Sequence, residues 1–187
     1  MFFLNSVNCT TIGWLRHQQT FSRPDYVKWV NSDFKADSLF SNEAMELGQI
    51  VRSSAVLGAG LELPPAASPI DWQGQPGTRA PHVLVTTAIG DVISSLDLLG
   101  REFVLFAIEP AWQMAADAMK LKFVHINHDI CFSEPDTFAE IFGVRQQGAV
   151  LIRPDGIIAW RSNNTAEDGG VDELKMAFNQ VTASPCQ

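Results

Sequence analysis

The densest group of reactive side chains in this sequence is His125-Ile126-Asn127-His128-Asp129. A histidine beside a carboxylate is a general acid–base pair, because imidazole titrates near neutral pH and a carboxylate orients it. His128 and Asp129 are therefore the first candidate catalytic residues, with His125 beside them. The same residues are a poor metal site. His-x-x-His on an extended chain points its rings apart, and no cysteine lies at ligand spacing, so no metal is expected. A strand end that carries ordinary polar residues is the structural alternative. Other chemistries have less support. Ser53-Ser54 and Ser94-Ser95 lack the G-x-S-x-G elbow of a serine hydrolase. The three cysteines, Cys9, Cys131 and Cys186, are widely spaced and form no C-x-x-C, which leaves thiol–disulfide exchange without a dithiol. Tyr26, Trp29 and Trp112 are the aromatic residues able to wall an apolar substrate pocket, and they serve equally well as core.

These residues need a scaffold. Phe103 to Ile108 is a near-continuous apolar run and suits a strand covered on both faces. Pro110 to Lys120 has helical spacing, with Trp112, Ala115, Ala116 and Met119 on one side. Lys122 to Asn127 then returns as a parallel strand, and such crossovers are right-handed. Alternation puts His125 and Asn127 on one face, while His128 and Asp129 fall where the strand gives way to a loop. Ligands of open α/β sheets collect beyond the carboxyl ends of strands. Thr137 to Phe142 reads as a helical turn ending at Gly143. Ala149–Arg153 and Ile157–Arg161 read as a hairpin around Pro154-Asp155-Gly156, where Pro presets φ and Gly accepts a positive φ. Val171 to Val181 is an amphipathic helix with Leu174, Phe178 and Val181 inward. The order β-α-β, helix, β-β-α is that of thioredoxin. His82–Thr87 is expected to join the central sheet.

The first part of the chain reads differently. Residues 1–57 form a mainly helical extension with an aromatic stripe, Tyr26, Trp29, Val30 and Phe34, ending in a strand over Gln49–Leu57. Residues 58–80 are a linker rich in Pro and Gly, ordered if Leu61, Leu63, Ile70 and Trp72 pack down. Residues 81–187 are the thioredoxin-like domain. The expected fold class is thus α/β.

Four segments carry a resemblance. Arg52-Ser53-Ser54-Ala55-Val56, Pro76-Gly77-Thr78-Arg79-Ala80-Pro81-His82, Ser95-Leu96-Asp97-Leu98-Leu99-Gly100-Arg101 and Gly148–Arg161 follow one another in order from about Leu47 to Trp160. Together they resemble the C-terminal domain of FAD-dependent aromatic-ring hydroxylases, the group of phenol and polyketide hydroxylases. The resemblance implies a thioredoxin-like fold without a redox pair, used for subunit contact and stability, with Arg79 and His82 docking the linker by burial of the arginine. It does not carry the flavin machinery. There is no G-x-G-x-x-G, and Gly58-Ala59-Gly60 runs into Pro64-Pro65, where no phosphate-binding helix can start. No FAD or other cofactor is expected on this chain.

Composition narrows the partners. A net charge of −8 argues against nucleic acid, whose phosphates need a positive field. The N-terminus lacks the basic region and apolar run of about 7–15 residues of a secretory signal, and no apolar run nears about 18 residues. A cytoplasmic protein that binds no membrane is expected. Two functions remain. One is a cofactor-free enzyme acting on a small aromatic or polyketide-like molecule, an isomerase, dehydratase or cyclase that works by positioning and acid–base catalysis. The other is a non-catalytic dimerisation, assembly or ligand-binding module. A homodimer fits both. The aromatic extension favours a free-standing protein over a fragment, since its rings must cover something.

Overall fold

The structure is a computed structural model that describes residues 41–60, 62–134 and 137–182. Contacts divide the chain into a unit of residues 1–39 and a unit of residues 40–187, and all described residues belong to the second. The expectations for Tyr26, Trp29, Leu61, Cys9 and Cys186 lie outside the described residues.

The centre is a four-stranded sheet. β3 (Val104–Ala107) runs parallel to β4 (Lys122–His125) and antiparallel to β6 (Ala149–Ile152), which pairs antiparallel with β7 (Ile158–Ser162), giving the order β4-β3-β6-β7. The helix α3 (Ala111–Ala118) makes the crossover between β3 and β4. This is the predicted thioredoxin-like arrangement. Every residue of β3 and β6 is buried, which is why their sequences are unbroken apolar runs.

Strand alternation divides the core. Val104, Phe106, Val124, Val150, Ile152 and Ile158 face the helix α4 (Thr137–Phe142), whose Phe138 and Phe142 are fully buried. Leu105, Ala107, Leu151, Ala159 and Trp160 face α3 and the C-terminal helix α5 (Val171–Val181). In α5, Leu174, Ala177 and Val181 turn inward, and the half-buried Phe178 meets Phe103 edge to face at 5.4 Å. Each of these large side chains removes enough apolar area to contribute about 1.5–3 kcal/mol.

A second, smaller sheet corrects the sequence expectation for His82–Thr87. β1 (Leu84–Thr87) pairs antiparallel with β2 (Val92–Ser94) and with β5 (Ile130–Cys131), apart from the central sheet. Only Val85 of β1 is fully buried; Leu84 and Thr86 face outward. One covered face suits an antiparallel hairpin, not a central strand. A 3-10 turn, Ser95–Leu98, follows β2 with a capping box in which Ser94 Oγ accepts from Leu96 and Asp97 accepts from the Ser94 N–H.

Gln49–Leu57 forms no strand. It makes a single bridge, Gln49 to Ala66, and turns at Ser53–Ala55. Its donors reach carbonyls one at a time, Ile50 to Pro65 and Val51 to Gly77. The facing segment contains Pro64, Pro65 and Pro76, which have no N–H to return, so a ladder cannot propagate.

The Pro/Gly-rich stretch is ordered against the hairpin. Gly77 donates to Ile158, Ile158 to Thr78 and Ala80 to Gly156, extending the edge of β7. The short helix α2 (Pro69–Trp72) buries Trp72, whose Nε1 donates to the Gly48 carbonyl at 2.7 Å; α1 (Asn42–Glu46) lies just before that carbonyl. Ile70, expected to pack down, is 82% exposed because it lies on the opposite side of this one-turn helix. Gly74 has φ 66, and a Cβ there would collide with the Phe142 backbone, so the chain crosses the end of α4 only as glycine.

Candidate functional site

The His125–Asp129 segment closes into a tight turn. β4 ends at His125, and Asn127 takes φ 67, a left-handed conformation that asparagine tolerates. The Asp129 N–H donates to the His125 carbonyl at 2.8 Å, and Asn127 donates to Ile130 at 2.7 Å. This reversal brings sequence neighbours face to face. Asp129 Oδ2 accepts from the His125 N–H at 2.8 Å, while Oδ1 lies 2.9 Å from His128 Nδ1. A carboxylate only accepts, so Nδ1 carries the proton and His128 presents Nε2 outward as its basic atom. His125 Nε2 lies 2.8 Å from the Ile108 carbonyl and must donate to it. The two imidazoles stack at 5.1 Å with 16° between planes.

Partial burial pushes the Asp129 carboxyl upward, but the His125 N–H and the His128 ring outweigh it. Its pKa falls below the ordinary aspartate value. The pair could exchange a proton at His128 Nε2. It would do so in water: the His128 side chain is 73% exposed and that of Asp129 48%.

Two cavities among the described residues lie elsewhere. One of about 460 Å³ is bordered by Arg52, Ser53, Val56 and Gly58–Gly60; the other, of about 260 Å³, by Arg79, Ala80, Leu96, Leu99, Gly100 and Pro154–Gly156. Trp112 reaches neither. It is fully buried, donates from Nε1 to the Gln147 carbonyl at 2.9 Å, and packs edge to face on Trp160 at 6.2 Å.

The arginines sort differently from expectation. Arg79 is exposed, not buried; its backbone bridges to Ile157, and the residue borders the smaller cavity. His82 is exposed as well. Arg161 does the docking: it is half-buried and donates to the carbonyls of Gln73 at 2.8 Å and Phe142 at 3.1 Å, and to Gln75 Oε1 at 3.3 Å. Burial lowers its pKa, yet an arginine remains charged. Arg153 pairs with Asp155 at 2.6 Å across the hairpin turn. The smaller cavity escaped sequence reasoning because its walls come from three distant segments. The one available signal was that all three belong to the motifs of the family resemblance.

Residues 73–185 match the family described as aromatic-ring hydroxylase, C-terminal. The chain belongs to that family. It is 35% identical over 174 residues to 4-methyl-5-nitrocatechol 5-monooxygenase of a Burkholderia species, covering 84% of this chain and 31% of that protein. It is 34% identical over 180 residues to tetracenomycin A2 monooxygenase-dioxygenase of Streptomyces glaucescens, covering 91% and 30%. The chain thus spans about a third of the length of the curated relatives it matches. Among solved structures, a complex of aklavinone-11 hydroxylase with FAD and aklavinone aligns with a TM-score of 0.67 at 31% identity, over 75% of this chain and 27% of that one.

Gly58 and Gly60 do take positive φ, but no helix starts behind them to receive a pyrophosphate. The neighbouring Arg52 donates to the carbonyls of Gly60, Leu63 and Pro64, which engages the one cation among the described residues that border that cavity. No group of three His, Cys, Asp or Glu residues is placed to hold a metal among the described residues, and no helix there is long and apolar enough to cross a membrane.

Proposed function

We propose that this domain serves aromatic-ring hydroxylation as a non-catalytic module, supporting an enzyme whose substrate is a small aromatic or polyketide molecule. The observation that carries the reading is the state of the acid–base candidates. His128 and Asp129 satisfy each other on an open, solvent-exposed turn, and neither of the two cavities described above is bordered by them. The core of the thioredoxin-like sheet is closed, with Trp112 filling the space under β6 and β7. A domain whose described residues place no dithiol and no cavity beside its acid–base candidates contributes stability and contact surface, and a homodimer is the assembly expected. The relatives' hydroxylation of aromatic and polyketide substrates supports the substrate class.

The second reading is the cofactor-free isomerase, dehydratase or cyclase, and the ordered His128 Nε2 favours it. One experiment separates them. The purified chain is incubated alone with catechols, naphthoquinones and polycyclic polyketides, and products are followed by mass spectrometry. The module reading expects none. Turnover that falls by roughly 10²–10⁴-fold in His128→Ala, the usual size of an acid–base contribution, would replace it with the enzymatic one.

A further inference from the structure

Three segments distant in sequence meet around the 260 Å³ cavity: Arg79–Ala80 from the ordered linker, Leu96, Leu99 and Gly100 after β2, and Pro154–Gly156 from the hairpin turn. Structural duty explains most of the polar groups near it. Ser95 Oγ donates to Pro81 at 2.7 Å and accepts from Val83 at 3.0 Å. Lys122 Nζ donates to Leu98 at 2.6 Å. Asp155 spends one carboxylate oxygen on Arg153 and the other on the Ile157 N–H.

Arg79 has no such duty. Among the described residues no hydrogen bond or ion pair holds its guanidinium, although the protein carries a surplus of acids that could. Arginine is the side chain best shaped to clasp a carboxylate with two parallel N–H groups. The neutral Arg153–Asp155 pair leaves this positive charge uncompensated. Ala80, Leu96, Leu99 and Pro154 supply apolar walls.

We infer that this cavity binds a small aromatic carboxylate, with Arg79 on the carboxylate and Leu96, Leu99 and Pro154 against the ring. The volume falls below the range of about 300–1,000 Å³ that holds drug-sized ligands, so it takes a single ring and not a polycycle. A phosphate fits less well, because its second charge would meet the Asp155 wall and its surface would strand the apolar one. This assignment stands independently of the module reading.

The test is a titration of the full chain with benzoate, followed by calorimetry and by backbone amide shifts. One saturable site is expected, with a dissociation constant on the order of a millimolar, as suits so few ligand atoms. Arg79→Gln should weaken it by at least about tenfold while leaving the circular dichroism spectrum and Tm unchanged, since the side chain is exposed. Arg79→Lys should keep part of the affinity. Leu96→Asp should weaken binding as Arg79→Gln does, by placing a charge on the ring wall. Benzamide, the neutral counterpart, should bind at least about tenfold more weakly than benzoate. The inference is overturned if benzoate fails to saturate at about ten times that concentration, if Arg79→Gln binds it equally, or if inorganic phosphate displaces it at equal concentration.

Discussion

The turn at His125–Asp129 and the junction of linker and hairpin are two polar regions of this domain, and they are built in opposite ways. In the turn, the bonds within the cluster join residues at most four positions apart, and Asp129 answers both histidines. At the junction, Arg161 reaches 88 positions back to Gln73 and also holds the end of α4. The turn is rich in chemistry and local; the junction is built from backbone carbonyls and holds distant parts together. Local satisfaction leaves little drive to bind anything else. Long-range construction can leave a charge over, and Arg79 is that charge. A cluster of reactive residues in sequence is therefore weaker grounds for a site than an unmet group where distant segments meet.

The sharpest test of the junction is its foundation. Trp112 lies beneath Trp160 of the hairpin, fully buried. Trp112→Ala should cost about 3–5 kcal/mol in urea unfolding, as large-to-small changes in closed cores do. A loss below about 1 kcal/mol would mean that the tryptophan borders a void, and the closed-core premise of the module reading would fail.

Next comes Arg161→Ala. It strands the Gln73 and Phe142 carbonyls and should cost about 1.5–3 kcal/mol, with limited proteolysis cutting the linker near Gln73–Gln75 first. Cleavage elsewhere would show that the arginine does not hold the linker. Gly156→Ala follows. Gly156 sits at φ 79, where a Cβ clashes with its own backbone, so about 1–2 kcal/mol should be lost. A neutral result would indicate that the turn relaxes, and the shape of the Arg79 cavity with it.

How much of this could be read in the sequence follows the same division. The bounds Val171–Val181 for α5 were legible because a single helical period with Leu174 and Val181 inward needs no partner to be recognised. The β3, β4, β6 and β7 elements were legible from apolar runs and from Pro154-Asp155-Gly156. What failed depended on partners. The β-branched residues of Gln49–Leu57 suggest a strand, but prolines opposite deny the ladder. Alternation in Leu84–Thr87 shows a strand but not which sheet it joins. At the site, Asp129 beside His128 was visible by adjacency; Asn127 in a left-handed conformation, which makes the contact possible, was not. The Arg79 cavity left no sign in the sequence beyond the family motifs its three segments carry, because it exists only once they are folded together.

The smallest effects belong to the turn. His128→Ala should change stability by less than about 0.5 kcal/mol, since an exposed side chain with one hydrogen-bond partner and one stacking contact is lost. Asp129 leaves a pH signature instead. Its folded pKa lies below the unfolded value, so the stabilisation exists above the unfolded aspartate pKa near 3.8 and disappears as pH falls through the lower folded value. The Tm difference between the wild-type chain and Asp129→Asn should therefore be present at pH 5 and above and shrink toward zero below about pH 3. His128→Ala should narrow that difference by removing one of the groups that hold the carboxylate charged, leaving the His125 N–H as the remaining anchor. A difference that grows on acidification would mean that burial, not hydrogen bonding, dominates at Asp129. The carboxyl would then be held protonated, His128 would lose its orienting partner, and the contrast between a satisfied turn and an unsatisfied cavity would not hold.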